Sequence, residues 1–238
     1  MYGWRGRIGL LVPSSNTTME EEFRRLLPYG VSLHAARVRL RRVTIRELEA
    51  MKEELLDAAW RLVDANVNII ILGCTTGSLI KGIGYDKELS NIITNSTGIK
   101  AITTSTAVLA ALKNLSLDAI SVATPYIEEV NEREKRFLED NGIKVLKIMG
   151  LNIIDNLEIG RLSPEDAYML ARKVDTPESK GVFISCTNFR TLEVIEILEK
   201  DLGKPVISSN LATFWLTLKE MGIKEEIRGY GKLLRENW

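Results

Sequence analysis

The chain repeats a cysteine at the end of a strand, and that repeat limits what it can fold into. Its only two cysteines sit in closely similar settings: Ile69-Ile70-Ile71-Leu72-Gly73-Cys74-Thr75-Thr76 and Gly181-Val182-Phe183-Ile184-Ser185-Cys186-Thr187-Asn188. Each is a run rich in β-branched residues that stops at a small residue, delivers a thiol and continues into threonine. Such a run reads as a buried strand with the cysteine at its carboxyl edge. Upstream, Ile8 to Val12 ends at Pro13, and Ala119 to Ala123 ends at Thr124-Pro125. Pro13 stands 61 positions before Cys74, and Pro125 stands 61 positions before Cys186. Downstream, the stretch from Gly98 to Ser105 echoes that from Gly203 to Asn210. Internal repetition on this scale predicts two similar lobes about a pseudo-two-fold axis, with the thiols facing each other across it.

Between these landmarks strands alternate with helical segments. Thr17 and three following carboxylates open a first helix. Val31 to Leu40 reads as a strand. Thr44 caps an amphipathic helix expected to run unbroken to about Asp64, and Asn66 to Leu72 is the strand before Cys74. Lys81 to Asp86 is a glycine-rich turn or lid, followed by a short helix from Leu89 to Asn95. In the second half, helices are expected over 127–141, 164–174, 191–202 and 211–221. Alternation of this kind implies an α/β fold with parallel sheets covered by helices on both faces. In such sheets ligands gather at the carboxyl ends of strands, where Pro13, Cys74, Pro125 and Cys186 fall. The domain reading is a first lobe of 1–114 plus 211–238 carrying Cys74, and a second lobe of 115–210 carrying Cys186.

Composition removes several classes. Lys+Arg and Asp+Glu are equal at 32 each, so no basic face for nucleic acid is indicated. No apolar stretch approaches the ~18 residues of a membrane span, and the N-terminus enters a strand directly, so a cytoplasmic protein is expected. Two cysteines and one histidine are too few for a disulfide scaffold or an ordinary zinc site, and no metal or cofactor is expected. His34 reads as structural. Trp4, Trp60, Trp215 and Trp238 read as packing or interface residues.

A lone buried cysteine is usually inert; two at matched strand ends point to chemistry. Both are expected to precede helix starts, which lowers a thiol's pKa. The backbone N–H groups of Thr75, Thr76, Thr187 and Asn188 would then line an anion pocket. Thiol addition to an activated alkene, or proton removal beside a carbonyl, suits such a pair. A small-dianion binding protein, or a redox pair closing a disulfide between lobes, is the non-enzymatic alternative. Asn16, Tyr126 and Asn156 each read equally as turn residues or ligand contacts.

Val12-Pro13-Ser14-Ser15-Asn16-Thr17, Gly73-Cys74-Thr75-Thr76, Thr124-Pro125-Tyr126, Asp155-Asn156 and Ser185-Cys186-Thr187 together resemble the aspartate/glutamate racemase superfamily. Within it they resemble the maleate cis–trans isomerase and arylmalonate decarboxylase group. The resemblance covers nearly the whole chain. It implies two Rossmann-like (flavodoxin-like) lobes, a cofactor-independent site in the cleft between them and a small carboxylate substrate. Carried over, Cys74 adds to the double bond of maleate or a related dicarboxylate, and Cys186 moves the proton. Asn16, Tyr126 and Asn156 hold the carboxylates, with Ser15, Thr75, Thr76 and Thr187 beside them. Thr75-Thr76 departs from the isomerases and resembles the oxyanion-binding pair of the decarboxylases, which keep only the second-lobe cysteine. An amino-acid or hydantoin racemase with two cysteines is the rival, and an arylmalonate decarboxylase-like enzyme a further one. Assembly as a homo-oligomer, most simply a dimer, is expected.

Overall fold

The computed structural model describes residues 1–236; Trp238, read above as a packing or interface residue, lies outside them. Two four-stranded sheets form the frame. The first holds β1 (Gly6–Pro13), β2 (Val31–Val38), β3 (Ile69–Leu72) and β4 (Ala101–Thr103) in the order β2-β1-β3-β4. The second holds β5 (Ala119–Thr124), β6 (Lys144–Gly150), β7 (Gly181–Ile184) and β8 (Val206–Ser208) in the order β6-β5-β7-β8. All pairings are parallel, and the two orders are the same once each sheet is numbered from its own first strand. The duplication legible in the sequence is therefore a duplication of topology. Strands β3 and β7 are buried at every position, which is why they read as continuous apolar runs rather than alternating ones.

Helices flank both sheets. In the first half these are α1 (Met19–Leu26), α2 (Ile45–Ala50), α3 (Leu55–Asp64), α4 (Thr75–Leu79), α5 (Tyr85–Thr97) and α6 (Thr104–Asn114). In the second they are α7 (Glu128–Asp140), α8 (Asn156–Gly160), α9 (Pro164–Val174), α10 (Ile195–Leu202), α11 (Ser209–Glu220) and α12 (Lys232–Glu236). No helix among the described residues is long and apolar enough to cross a membrane. Trp215 is buried, whereas Trp4 and Trp60 are exposed. His34 sits on β2 and shares a 3.0 Å hydrogen bond with Ser32.

Several boundaries differ from the sequence reading for identifiable reasons. The helix expected to run from Thr44 to Asp64 is interrupted by a tight 3-10 turn at Met51–Glu54. Around that break Glu47 and Glu54 turn back to accept the N–H groups of Arg41, Arg42 and Arg39. Tyr85 and Asp86, expected in the glycine-rich turn, already belong to α5, which starts directly after Gly84 at φ +84°; there Thr106 donates to the buried Asp86 carboxylate at 2.6 Å. The N-cap position of the first helix is a threonine, Thr18, but its hydroxyl makes no capping bond and donates instead to the Asn188 carbonyl at 3.0 Å; Asn16 Oδ1 accepts the N–H groups of Thr18 and Met19 at 2.9 and 3.0 Å. The C-terminal segment packs on α10, where the Lys232 N–H bonds Glu199 at 2.8 Å.

Candidate active site

Strand β3 stops at Gly73, whose N–H reaches the Leu11 carbonyl at 2.8 Å. A Cβ there would lie 2.6 Å from Met19 Sδ and 2.8 Å from Leu10 Cδ1, so those side chains would have to give way. The chain leaves the sheet at this point, and Cys74 becomes the N-cap of α4. Its Sγ accepts the Gly77 N–H at 3.3 Å, with the Thr76 hydroxyl as a second donor. Gly77 is tied to this geometry, since a Cβ there would come within 2.9 Å of the sulfur.

Cys186 is delivered in a different way. After β7 the backbone turns through φ +100° at Cys186, in the left-handed half of the map that L side chains rarely occupy, at a cost of about 1–3 kcal/mol. The surroundings over-determine it. The Cys186 N–H bonds Ser209 Oγ at 3.1 Å, and its carbonyl accepts the Phe189 N–H at 3.3 Å. The sulfur accepts the Asn188 N–H at 3.4 Å and the Tyr126 hydroxyl. Asn188 N–H is thus spent on the thiol and is not a free donor for an anion. No helix follows directly: residues after Cys186 form turns, and α10 begins only at Ile195, so the expected helix start near Thr191 is corrected.

The two thiols share one site. A charge on Cys74 disfavours a charge on Cys186, and Tyr126 is close enough to feel both. Both cysteines are free. Ser209 joins their turns, accepting from Thr75 Oγ1 at 2.8 Å on one side and from the Cys186 N–H on the other. Asn16 Nδ2 donates to Thr187 Oγ1 at 3.0 Å, and that hydroxyl donates to the Gly73 carbonyl at 3.1 Å. Asn156 Nδ2 donates to Ser15 Oγ at 2.8 Å, and Ser15 donates to the Leu40 carbonyl. Asn188 completes the seam between the halves, accepting the Thr17 N–H at 2.8 Å and donating to the Asn156 carbonyl at 2.6 Å. Over this seam the segment after β2 meets the loop after β6: Val43 N–H bonds Ile154 O at 2.7 Å, and Asn156 N–H bonds Arg41 O at 2.9 Å.

All nine residues singled out from the sequence therefore fall on one inter-lobe seam. Cys74, Cys186 and Tyr126 are at its centre, with Thr76 on the Cys74 sulfur. Asn16 and Thr187, Ser15 and Asn156, and Thr75 through Ser209 form bridges around them. Ser209, Glu22 and Glu134 were not among them, and Asn188 was read only as a backbone donor. Ser209 had a signal, lying in the stretch that repeats Gly98 to Ser105.

The expected lowering of the thiol pKa values is overturned. Burial pushes Cys74 up to about 11 and Cys186 up to about 12, outweighing the hydrogen bonds that each sulfur accepts. Tyr126 is likewise held well above its ordinary 10, first by burial. Desolvation of an anion exceeds what a five-residue helix can return through its terminus. The resting site holds two neutral thiols and a neutral phenol. Among the described residues no group of three or more His, Cys, Asp or Glu is placed to hold a metal ion.

Fold and site together define a two-lobed α/β enzyme that brings one buried thiol from each half to a common centre. The arylmalonate decarboxylase family matches residues 8–234, and the chain belongs to that family. It is similar to the maleate isomerase of Alcaligenes faecalis, 29% identical over 96% of each chain. It is also similar to the arylmalonate decarboxylase of Bordetella bronchiseptica, 31% identical over 97% of each. Among solved structures it matches a cysteine-to-serine variant of the Nocardia farcinica maleate cis–trans isomerase with a covalently bound succinylcysteine intermediate. That match has a TM-score of 0.94 and 26% identity, and covers 98% of this chain and 99% of the other.

Proposed function

We propose that this protein is a maleate-type cis–trans isomerase in which Cys74 adds to the substrate double bond and Cys186 moves the proton. The observation that carries the reading is the pairing itself: one thiol from each half of a duplicated fold, both buried at one centre and electrostatically in reach of each other. The succinylcysteine adduct named for the Nocardia relative is what such a pair would form.

The steps balance without any added group. As the Cys74 sulfur bonds one alkene carbon, the π electrons move to the other carbon and into its carboxylate. Cys186 gives its proton to that carbon, and the proton of Cys74 passes to the Cys186 sulfur. The former double bond is now a single bond and rotates. Elimination reverses the transfers and leaves the trans isomer with both thiols restored. Tyr126, Asn16, Asn156 and the Ser15, Thr75, Thr76 and Thr187 hydroxyls would hold the two carboxylates. The carboxamides must first exchange their present partners, Thr187 and Ser15, for the substrate. The two-cysteine centre favours isomerisation over decarboxylation by a single thiol. A two-base racemase is the second enzymatic reading, and the two cysteines each followed by a threonine, Cys74-Thr75 and Cys186-Thr187, are the feature that suits it. Cytoplasmic location and assembly as a homodimer belong to the same reading, and sedimentation checks the second.

The test uses wild-type protein and Cys186→Ser with maleate in deuterium oxide. Proton NMR should show fumarate forming with the wild type, and peptide mass spectrometry should place an adduct of one maleic acid on Cys74 of the variant. Failure of maleate to react, with α-deuterium exchange in aspartate, glutamate or a hydantoin and no adduct, would replace the isomerase by the racemase.

A further inference from the structure

Behind Cys186 lies a fully buried carboxyl that the mechanism above does not use. Glu134 projects from α7 and accepts the Ser185 hydroxyl at 2.6 Å on Oε1. Its other oxygen has no hydrogen-bond partner, and its side chain is wholly buried. Ser185 is the residue immediately before Cys186, whose backbone stands at φ +100°. A carboxyl with one oxygen unsatisfied in the interior is expensive as an anion and much cheaper as an acid. It therefore stays only where the fold gains something from it.

We propose that Glu134 is a positioning residue for Cys186: through Ser185 it tethers the left-handed turn that presents the thiol, and its protonation state sets how readily that thiol releases its proton. The role rests on reading Cys186 as the proton donor.

Burial lifts Glu134 to about 7, and the Ser185 hydrogen bond pulls against that rise. Its negative charge disfavours the Cys186 thiolate and the Tyr126 phenolate. Cys186 and Tyr126 are ionisable groups that feel its charge. From the end of β7 it faces Ser185 and Cys186, and from the end of β5, Tyr126. Helix α4, which packs against α7, carries no ionisable side chain. On β6 Lys144 and Lys147 are exposed, and Lys147 donates to the Lys173 carbonyl. Below pH 7 Glu134 is neutral and Cys186 sees a hydrogen-bonded acid; above it Cys186 sees a carboxylate and becomes the weaker acid.

The experiment has two arms. In the first, Cys186 is alkylated by iodoacetamide in the Cys74→Ser background, with and without E134Q, from pH 5.5 to 8.5. With Glu134 present, the rise of log rate with pH should flatten near 7. With E134Q it should stay straight, so the ratio of rates grows from near one to about tenfold. S185A, which removes the tether's hydroxyl and leaves the carboxyl, should move the flattening to higher pH. In the second arm, kcat for maleate should fall above pH 7 in the wild type and not in E134Q. Parallel alkylation profiles, or a break that S185A leaves in place, would overturn the proposal whatever the turnover. Diverging alkylation profiles in a protein that does not isomerise maleate would keep the positioning role and remove the isomerase reading instead.

Discussion

Glu22 offers the cleanest physical test of how the halves are joined. It sits on α1, is buried, and accepts the Thr191 N–H at 2.7 Å and the Leu192 N–H at 3.1 Å on one oxygen. Asn210 Nδ2 reaches the other at 2.6 Å. Burial raises it from an ordinary 4.5 to about 7, the three hydrogen bonds only partly offsetting the desolvation. In the unfolded chain it ionises near 4.5. Between 4.5 and 7 the native state therefore keeps a proton that the unfolded state has lost, and stability falls as pH rises through that window. At about 1.4 kcal/mol per tenfold the loss is roughly 3 kcal/mol, complete above pH 7. Glu22→Gln removes the titration. It also rearranges hydrogen bonds at Asn210, but that cost does not depend on pH. The variant should thus gain about 2.5 kcal/mol relative to wild type between pH 5 and pH 8, whatever its offset at either end. Urea unfolding at fixed pH values in that range reads the difference. A variant-minus-wild-type difference that stays constant to about 0.5 kcal/mol, well inside the expected change, would show that Glu22 is not the buried titrating acid described here.

Two further outcomes follow from the seam. Asn16→Ala removes the bonds to the Thr18 and Met19 N–H groups at the start of α1 and the bond to Thr187; it should cost about 2 kcal/mol in urea unfolding and raise KM for the substrate. An unchanged KM and kcat would refute its carboxylate-binding role. Gly150→Ala would place a Cβ 2.2 Å from the Tyr126 carbonyl and 2.5 Å from Asn131 Nδ2, so the backbone holding Tyr126 must shift. A loss of about 1–3 kcal/mol and a matching fall in kcat are expected; a melting temperature unchanged to about 1 °C would contradict the packing.

What the sequence made legible was whatever is written locally or written twice. Strands β3 and β7 announce themselves as apolar runs that stop at Gly73 and Ser185, and the matched spacing to Pro13 and Pro125 exposed the shared topology before any contact was known. The cysteines were found because their setting is repeated. Asn16, Tyr126 and Asn156 were locally ambiguous, equally turn residues or ligand contacts, and resemblance alone gave them and Ser15 a role. The carboxylates were missed for a physical reason. Glu22 and Glu134 stand in helices dense with acidic residues, where a glutamate ordinarily faces water or complements a helix dipole. Nothing in MEEEF or EEVNERE says which one turns inward. That depends on Thr191, Asn210 and Ser185, which lie dozens to nearly two hundred residues away. Asn188 was read for its backbone alone, while its side chain joins Thr17 to Asn156 across the seam.

The thiol pKa values show why the local rule failed and what replaces it. A lowered pKa would serve an exposed nucleophile, which must hold thiolate in water at neutral pH. Here the partner is expected to be a dianion. Two standing thiolates at one buried centre would repel each other and the arriving carboxylates, in surroundings where charges act strongly. Neutral thiols near 11 and 12 avoid that, at the cost of a sulfur that cannot attack until its proton has somewhere to go. The second thiol supplies that place, because it can receive one proton while giving up its own to carbon. The negative charge then appears on the substrate, next to a carboxylate that can share it, and never rests on either sulfur. On this reasoning the two cysteines act as a single unit, and either serine substitution should remove most of the turnover without the losses adding.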